Sequence, residues 1–150
     1  MNVLSLFDGI SCGQVALERA GVKIKKYFAS EIDKHAIKVT QSNYPNTVQI
    51  GNVLDVNGCD LPKIDLLIGG SPCQGFSQAG KKLNFEDPRS KLFFEYVRIL
   101  KETNPKYFLY ENVIPKSREV IDIISEYLGV QPKQINSNLK SCQDRKRLYW

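Results

Sequence analysis

The feature that most constrains this chain is a regular alternation of short apolar runs with amphipathic segments of helical length. Residues 3–7, 27–31, 48–50, 64–68, 107–110, 130–135 and 147–150 read as strands. Residues 13–20, 33–44, 90–103 and 117–128 read as helices. Within 90–103, Leu92, Phe93, Tyr96, Val97, Ile99 and Leu100 recur at helical spacing, and Asn104-Pro105 stops the pattern. Asp33 stands where a helix N-cap is wanted. Neighbouring parallel strands need long crossover connections, which helices supply. The alternation therefore predicts an α/β fold, a doubly wound and mainly parallel sheet with helices on both faces.

A chain of 150 residues suits one domain with a single core. No apolar run reaches membrane-spanning length, and MNVLSLFDG turns acidic too early for a signal peptide. A cytoplasmic location is expected, or a nuclear one in a eukaryote, with no secretion and no membrane partner. Cys12, Cys59, Cys73 and Cys142 form no CxxC, and the single histidine, His35, lies far in sequence from Cys73. That spacing points to neither a zinc ribbon nor a papain-like Cys–His pair, and no metal site is expected. The net charge of +5 suits an anionic partner, with Lys23-Lys25-Lys26, Lys81-Lys82 and Arg145-Lys146-Arg147 as its basic clusters. Each cluster also reads as an ordinary solvated face.

Chemistry-bearing residues gather where strands end, the edge at which open α/β sheets bind ligands. Strand one runs into Phe7-Asp8-Gly9-Ile10-Ser11-Cys12-Gly13, a glycine-bearing loop without the spacing of a dinucleotide or phosphate loop. Glu31, ending strand two, is placed to accept from ribose hydroxyls. Asn52 follows strand three, and its amide oxygen either accepts from an adenine amino group or forms a turn. A glycine loop, a ribose-type acid and a polar residue after strand three suggest adenosine without a pyrophosphate. S-adenosylmethionine fits that description. Strand four ends in Gly69-Gly70-Ser71-Pro72-Cys73-Gln74, where the proline fixes the exit of Cys73. Cys73 reads as a nucleophile or as a small buried thiol. Strand five leads into Glu111-Asn112-Val113, so Glu111 is expected beside the Cys73 exit, as an acid catalyst or a helix cap. Arg145 and Arg147 are spaced to share one strand face.

With these residues in order, the chain resembles the cytosine-5 DNA methyltransferases from residue 3 to residue 150. LFDGISCG resembles the family's first motif, ASEID the second, GGSPCQGFS the cysteine motif, YENV the glutamate motif and QDRKRLYW the QxRxR motif. DPRSKLFFEYVRIL resembles the segment after the catalytic loop. The resemblance implies a Rossmann-like, S-adenosylmethionine-binding catalytic domain over 1–150, acting on double-stranded DNA. It implies that Cys73 attacks C6 of a flipped cytosine and that Glu111 engages N3 and the exocyclic amine. Arg147, with Arg145 beside it, would hold the base O2 and the catalytic loop. Phe7, Asp8, Gly9 and Ile10 would surround the cofactor's methionine and ribose. Glu31 would bind the ribose, and Ile32, Asn52 and Val53 the adenine, with Pro72 and Leu92 lining the pocket. Asn52 stands where the family usually carries Asp, and SCG places Cys12 where a glycine pair is commoner, as in the de novo branch. The target-recognition region and last motifs of the family are absent, and the strand-like run stops at Trp150, so a longer protein or a second chain is expected. An RNA (tRNA) cytosine-5 methyltransferase and a non-catalytic fragment are the alternative readings.

Overall fold

The computed structural model describes residues 1–72 and 88–150. Among them, β1 (Asn2–Leu6), α1 (Cys12–Arg19), β2 (Lys26–Ser30), α2 (Lys34–Asn43), β3 (Val48–Gln49) and β4 (Leu66–Gly69) follow in order. Then come α3 (Pro88–Thr103), β5 (Tyr107–Asn112), α4 (Arg118–Leu128), β6 (Lys133–Asn136) and β7 (Lys146–Tyr149). The strands form one seven-stranded sheet in the order β3-β2-β1-β4-β5-β7-β6. Strands β1 to β5 pair in parallel, while β7 runs antiparallel between β5 and β6. This is the predicted doubly wound, mainly parallel α/β sheet.

Local chemistry sets the ends of these elements. Asp33 caps α2 by accepting from His35 N–H at 2.8 Å, as its position in the sequence predicts. Ser117 caps α4 through Glu119 N–H, and Gly129 ends that helix at φ 70°, a left-handed conformation that glycine adopts without steric cost. Strand β6 starts later than the apolar run suggests because Pro132 has no N–H to offer a ladder. Strand β5 runs on to Asn112, beyond the predicted end, which places Glu111 inside the strand rather than after it.

The two faces of the sheet are covered unequally. On one face, Leu4, Leu6, Leu67, Tyr110 and Leu148 pack against Phe93, Tyr96, Val97 and Ile99 of α3 and Val120, Ile124 and Leu128 of α4. The spacing of those helical residues puts them on one stripe each, and burying each such side chain contributes about 1.5–3 kcal/mol. On the other face, Val3, Tyr27 and Ala29 pack with Leu17 of α1 and the partly buried Leu66 and Ile68. Helix α1 lies close to the sheet there, since a Cβ added at Gly13 would stand 2.4 Å from Ile68 Cδ1. Among the described residues no helix is long and apolar enough to cross a membrane.

Candidate active site

Seven of the residues expected around a cofactor surround one cleft of about 300 Å³ at the carboxyl ends of β1 to β4. They are Phe7, Glu31, Ile32, Asn52, Val53, Pro72 and Leu92, joined by Ser30 and Gly70, which sequence reasoning did not single out. Ser30 is the last residue of β2, so the rule that ligands bind at strand ends could have found it. A larger groove of about 510 Å³ lies between Gln14, Glu18, Lys26 and Tyr44. It opens at the start of β2, away from the strand ends that carry the chemistry, and none of the candidate residues lines it.

The loop from β1 to α1 is held in an unusual shape. Phe7, Gly9 and Ser11 have φ of 58°, 59° and 65°, and two of these are not glycine. Left-handed conformations at such residues cost energy and persist only where the surroundings fix them. Asp8 does much of the fixing. Its carboxylate accepts from Ser11 Oγ at 2.7 Å and from Tyr27 Oη at 2.8 Å. Burial pushes the Tyr27 hydroxyl well above the usual range and the Asp8 charge adds to this, so the phenol stays a donor. The structure thus places Asp8 as a brace beneath the loop. Asp8, Gly9 and Ile10 are not among the residues lining the cleft, and Ile10 is exposed. Cys12, at the start of α1, is also exposed.

Glu31 ties this loop to the next. Its Oε2 accepts from Gly9 N–H at 2.7 Å, and its Oε1 accepts from Ile32 N–H at 2.8 Å and Asp33 N–H at 2.9 Å. The carboxylate is therefore fixed before any ligand arrives, facing the cleft it lines. Asn52 Oδ1 accepts from Leu54 N–H at 3.1 Å and caps the short 3-10 turn Val53–Asp55. The turn-forming role is the one this structure gives that oxygen, and a carbonyl oxygen keeps a second lone pair for a ligand. Apolar walls at Phe7, Ile32, Val53, Pro72 and Leu92, with a fixed carboxylate at the rim, fit the nucleoside part of S-adenosylmethionine. The volume lies at the small end of the range for ligand sites.

Glu111 stands next to this cleft. A Cβ placed on Gly70 would lie 2.7 Å from the Glu111 carbonyl oxygen and 3.0 Å from Oε2, so the carboxylate sits directly against the backbone that leads to Pro72. Its Oε1 is 3.1 Å from Arg147 Nε and 3.9 Å from an Arg145 terminal nitrogen. Arg147 is the better enclosed of the two arginines, with 19% of its side chain exposed against 46% for Arg145. The three candidate residues are thus one cluster. Cys73 lies outside the described residues, as do Lys81 and Lys82.

Beneath the cluster is a buried network that the sequence reading missed. Ser71 Oγ and Tyr110 Oη are 2.7 Å apart, and Asn112 Nδ2 donates to Tyr110 Oη at 2.9 Å and to the Ser71 carbonyl at 3.4 Å. Asn112 Oδ1 accepts from Val113 N–H at 2.8 Å. All three residues are buried, and burial pushes the Tyr110 hydroxyl up to about 12. Tyr110 and Asn112 flank Glu111 in the strand and point to the opposite face. Their bonds to Ser71 fix the last step before Pro72 relative to the strand that carries Glu111.

A doubly wound sheet with a nucleoside-sized cleft at its strand ends and an acid–arginine cluster beside it defines a Rossmann-like domain of the methyltransferase kind. The chain belongs to the family described as C-5 cytosine-specific DNA methylase, whose profile matches residues 1–148. It is 46% identical to the orphan methyltransferase M.SPRI of Bacillus phage SPR, over 75% of this chain and 26% of that protein. It is 38% identical to the type II methyltransferase M.FnuDI of Fusobacterium nucleatum, over 100% of this chain and 46% of that protein. Among solved structures it is similar to a protein described as a DNA modification methyltransferase encoded within an Escherichia coli prophage. The TM-score is 0.78 at 28% identity, covering 99% of this chain and 45% of the other. The S. pombe Dnmt2 methyltransferase shares the fold, with a TM-score of 0.76 at 24% identity over 99% of this chain and 49% of that one. The chain therefore spans about a quarter to about half of the length of these relatives.

Proposed function

We propose that residues 1–150 form the S-adenosylmethionine-binding and catalytic part of a DNA methyltransferase that modifies C5 of cytosine. The observation that carries this reading is the position of Glu111, packed against Gly70 at the edge of the nucleoside-sized cleft and paired with Arg147. In this reading Ile32, Asn52 and Val53 hold the adenine, Glu31 accepts from the ribose hydroxyls, Phe7 lies on the methionine and ribose side, and Pro72 and Leu92 line the pocket. Asp8, Gly9 and Ile10 shape the loop on the methionine side. When bound, S-adenosylmethionine supplies an electrophilic methyl group. The residues around Glu111 work on the base itself.

The Cys73 thiolate adds to C6 of the flipped cytosine, making a C–S bond and moving electron density toward C5 and the ring nitrogen. Glu111 meets that density at N3 and the exocyclic amine, giving a proton there. Arg147 and Arg145 hold the base O2 and lend their charge to the developing anion. C5 would take the methyl group as the S–CH3 bond of the donor breaks, and a base would remove the C5 proton. The C5–H electron pair would re-form the C5–C6 double bond and expel the Cys73 thiolate, and N3 would return its proton to Glu111. Double-stranded DNA is the substrate, and the basic residues Arg145 and Lys146 at the same edge contribute a salt-sensitive attraction to its phosphates.

The test uses a chimera in which these residues replace the matching part of M.FnuDI. Duplex DNA carrying 5-fluorocytosine, with S-adenosylmethionine present, should give an SDS-stable adduct, because fluorine cannot leave as a proton does. Cys73→Ser should abolish it, since an alcohol is far less ionised than a thiol at neutral pH. An adduct that persists in Cys73→Ser would reject the nucleophile. Adduct formation on fluorocytosine-bearing tRNA and not on duplex DNA would transfer the reading to an RNA substrate.

A further inference from the structure

Arg98 of α3 does not line the cleft, but it holds the backbone of Val53, which does. Its Nε donates to Glu95 Oε2 at 2.8 Å, and its Nη1 donates to the two Glu102 oxygens at 2.8 and 3.0 Å. Its Nη2 donates to Glu95 Oε2 at 2.6 Å and to the Val53 carbonyl at 3.2 Å. A guanidinium has five N–H donors, and here every one is engaged. Glu95 and Glu102 meet Arg98 at helical spacing, three residues before it and four after. They hold the planar fork from both sides, and the bond left for the rest of the fold goes to one backbone oxygen. With 34% of the Arg98 side chain exposed, the ion pairs themselves contribute little to stability. The geometry is better explained by what it holds.

That oxygen belongs to the peptide unit joining Val53 to Leu54. The unit is planar and trans, so fixing its C=O also fixes its N–H, which points the opposite way. The N–H is that of Leu54, and it donates to Asn52 Oδ1 at 3.1 Å. The Arg98 guanidinium, the Val53–Leu54 peptide and the Asn52 amide thus form a relay through one peptide plane. An Asn side chain is two-sided. Turned over, it presents an NH2 donor where it now presents an oxygen, and its hydrogen bonds decide between the two. The sheet gives this turn little support, because β3, which leads into it, is two residues long and lies at the edge. Helix α3 supplies the support instead. Besides holding Val53, it takes the Gly58 N–H on Glu102 Oε2 at 2.7 Å, and it places Leu92 on the cleft wall.

We propose that Arg98 is a positioning residue for recognition of the cofactor's base. Through the Val53–Leu54 peptide it holds the Asn52 amide with its oxygen as the acceptor, which selects a base carrying an amino group over one carrying a keto oxygen. The proposal rests on the reading of this cleft as the S-adenosylmethionine site, with the adenine at Asn52. Lysine cannot do the same work. A single ammonium with three donors on a flexible stem does not meet two carboxylates and a carbonyl in one fixed plane.

The experiment uses the M.FnuDI chimera described above and measures, by calorimetry, the dissociation constants of S-adenosylhomocysteine and S-inosylhomocysteine. The two differ in the base, where a 6-oxo group replaces the 6-amino group. Their ratio is the quantity read, because a fraction of unfolded protein weakens both alike and cancels. The unsubstituted chimera should prefer the adenosyl compound by about tenfold or more, the scale of one hydrogen bond. Asn52→Ala should bring the ratio close to parity. Arg98→Lys should lower it by about threefold or more, the low end of coupling within one network. Adding Arg98→Lys to Asn52→Ala should lower it no further. If Arg98→Lys does not fold, Glu95→Gln, which loosens the guanidinium without removing it, should move the ratio the same way, and an unchanged ratio there overturns the proposal. An Arg98→Lys protein that melts lower but keeps the full ratio also overturns it, since the arginine would then serve stability alone. So does an equal effect of Arg98→Lys with and without Asn52, which would break the relay. A ratio that Asn52→Ala leaves unchanged is a different failure: it would place the base elsewhere and remove the reading on which the proposal rests, and the proposal with it.

Discussion

Replacing Tyr110 by Phe removes one oxygen atom from the centre of the network under Glu111, and the consequences can be worked through bond by bond. Ser71 Oγ, 2.7 Å from Tyr110 Oη, would be left in a site where Ser71 is 5% exposed. Asn112 Nδ2 would lose its 2.9 Å bond and keep only the 3.4 Å contact to the Ser71 carbonyl. Each lost bond contributes about 1 kcal/mol net, and stranding a buried polar group raises the cost to about 1–3 kcal/mol. The ring itself stays packed against Phe93, Tyr96 and Trp150, so no cavity beyond one oxygen is added. The expected loss is about 2–4 kcal/mol, or roughly 4–16 °C in melting temperature for a domain of this size. Urea unfolding followed by circular dichroism measures it. The double variant Tyr110→Phe with Ser71→Ala should cost less than the sum of the two single changes, because it removes the stranded hydroxyl along with its partner. The pH dependence gives an independent check. Burial pushes Tyr110 up to about 12, above the ordinary value of 10.0 for an unfolded tyrosine. Its contribution is therefore complete below pH 10 and is lost as pH rises through about 12, and the Phe variant should lack that part of the alkaline slope. A loss under about 0.5 kcal/mol, with additive single changes, would refute the reasoning, since no buried bond could then be at stake.

Three further outcomes are expected. Glu31→Ala should weaken S-adenosylmethionine binding by about 1.5–3 kcal/mol in calorimetry and should also lower the melting temperature, since the N–H groups of Gly9, Ile32 and Asp33 lose their acceptor. Gly70→Ala should destabilise the fold by about 1–3 kcal/mol in urea unfolding, because the new methyl would meet the Glu111 carbonyl oxygen at 2.7 Å and neither strand can yield freely. For Glu102, partial burial works against the charged form, but bonds from Arg98 and from Gly58 N–H outweigh it and hold the carboxyl below its usual range. Its stabilising part is thus present above the ordinary carboxylate value and lost as pH falls through the lowered one. Melting curves of Glu102→Gln should show a flatter acid limb than wild type.

Much of the fold was legible because its signals are local. The 3.6-residue spacing in α3 and α4, the Asp33 cap and the apolar runs at β1, β2 and β5 all depend on neighbours in sequence. The cleft was legible for a related reason: a parallel sheet sends every strand end to one edge, so Phe7, Glu31, Asn52 and Pro72 had to converge. What escaped depends on tertiary pairing. Asp8 reads from the sequence as part of the cofactor loop, and its bracing of that loop through Tyr27 and Ser11 shows only in the fold. The Ser71–Tyr110–Asn112 network joins residues some forty positions apart, and no spacing rule announces it. Asn52 was left between two roles by the sequence, and only the Leu54 N–H distance shows one of them in use.

The placement of the arginines shows how strand direction can decide chemistry. A parallel strand presents its last residues at the ligand-binding edge, and so β5 brings Glu111 there. Had β7 been parallel as well, Arg145 and Arg147, which precede and open that strand, would sit at the far edge from the cleft. Strand β7 instead runs antiparallel, pairing Glu111 with Tyr149 and Asn112 with Leu148. Its first residues therefore arrive at the edge where β5 ends, and Arg147 Nε comes within 3.1 Å of Glu111. Direction alone is not sufficient. Arg147 and Tyr149 are two residues apart and share the face of Glu111, whereas Lys146 and Leu148 point to the other side. A slip of one residue in the β5–β7 pairing would bury Arg147 under α4 and turn Leu148 toward the cleft edge, at the cost of an unpaired charge in the core. The buried Leu148 and the indole of Trp150, which donates to Ser125 Oγ at 2.9 Å, guard against that slip. The packing of the opposite face thus sets the register that keeps the acid and its arginine together.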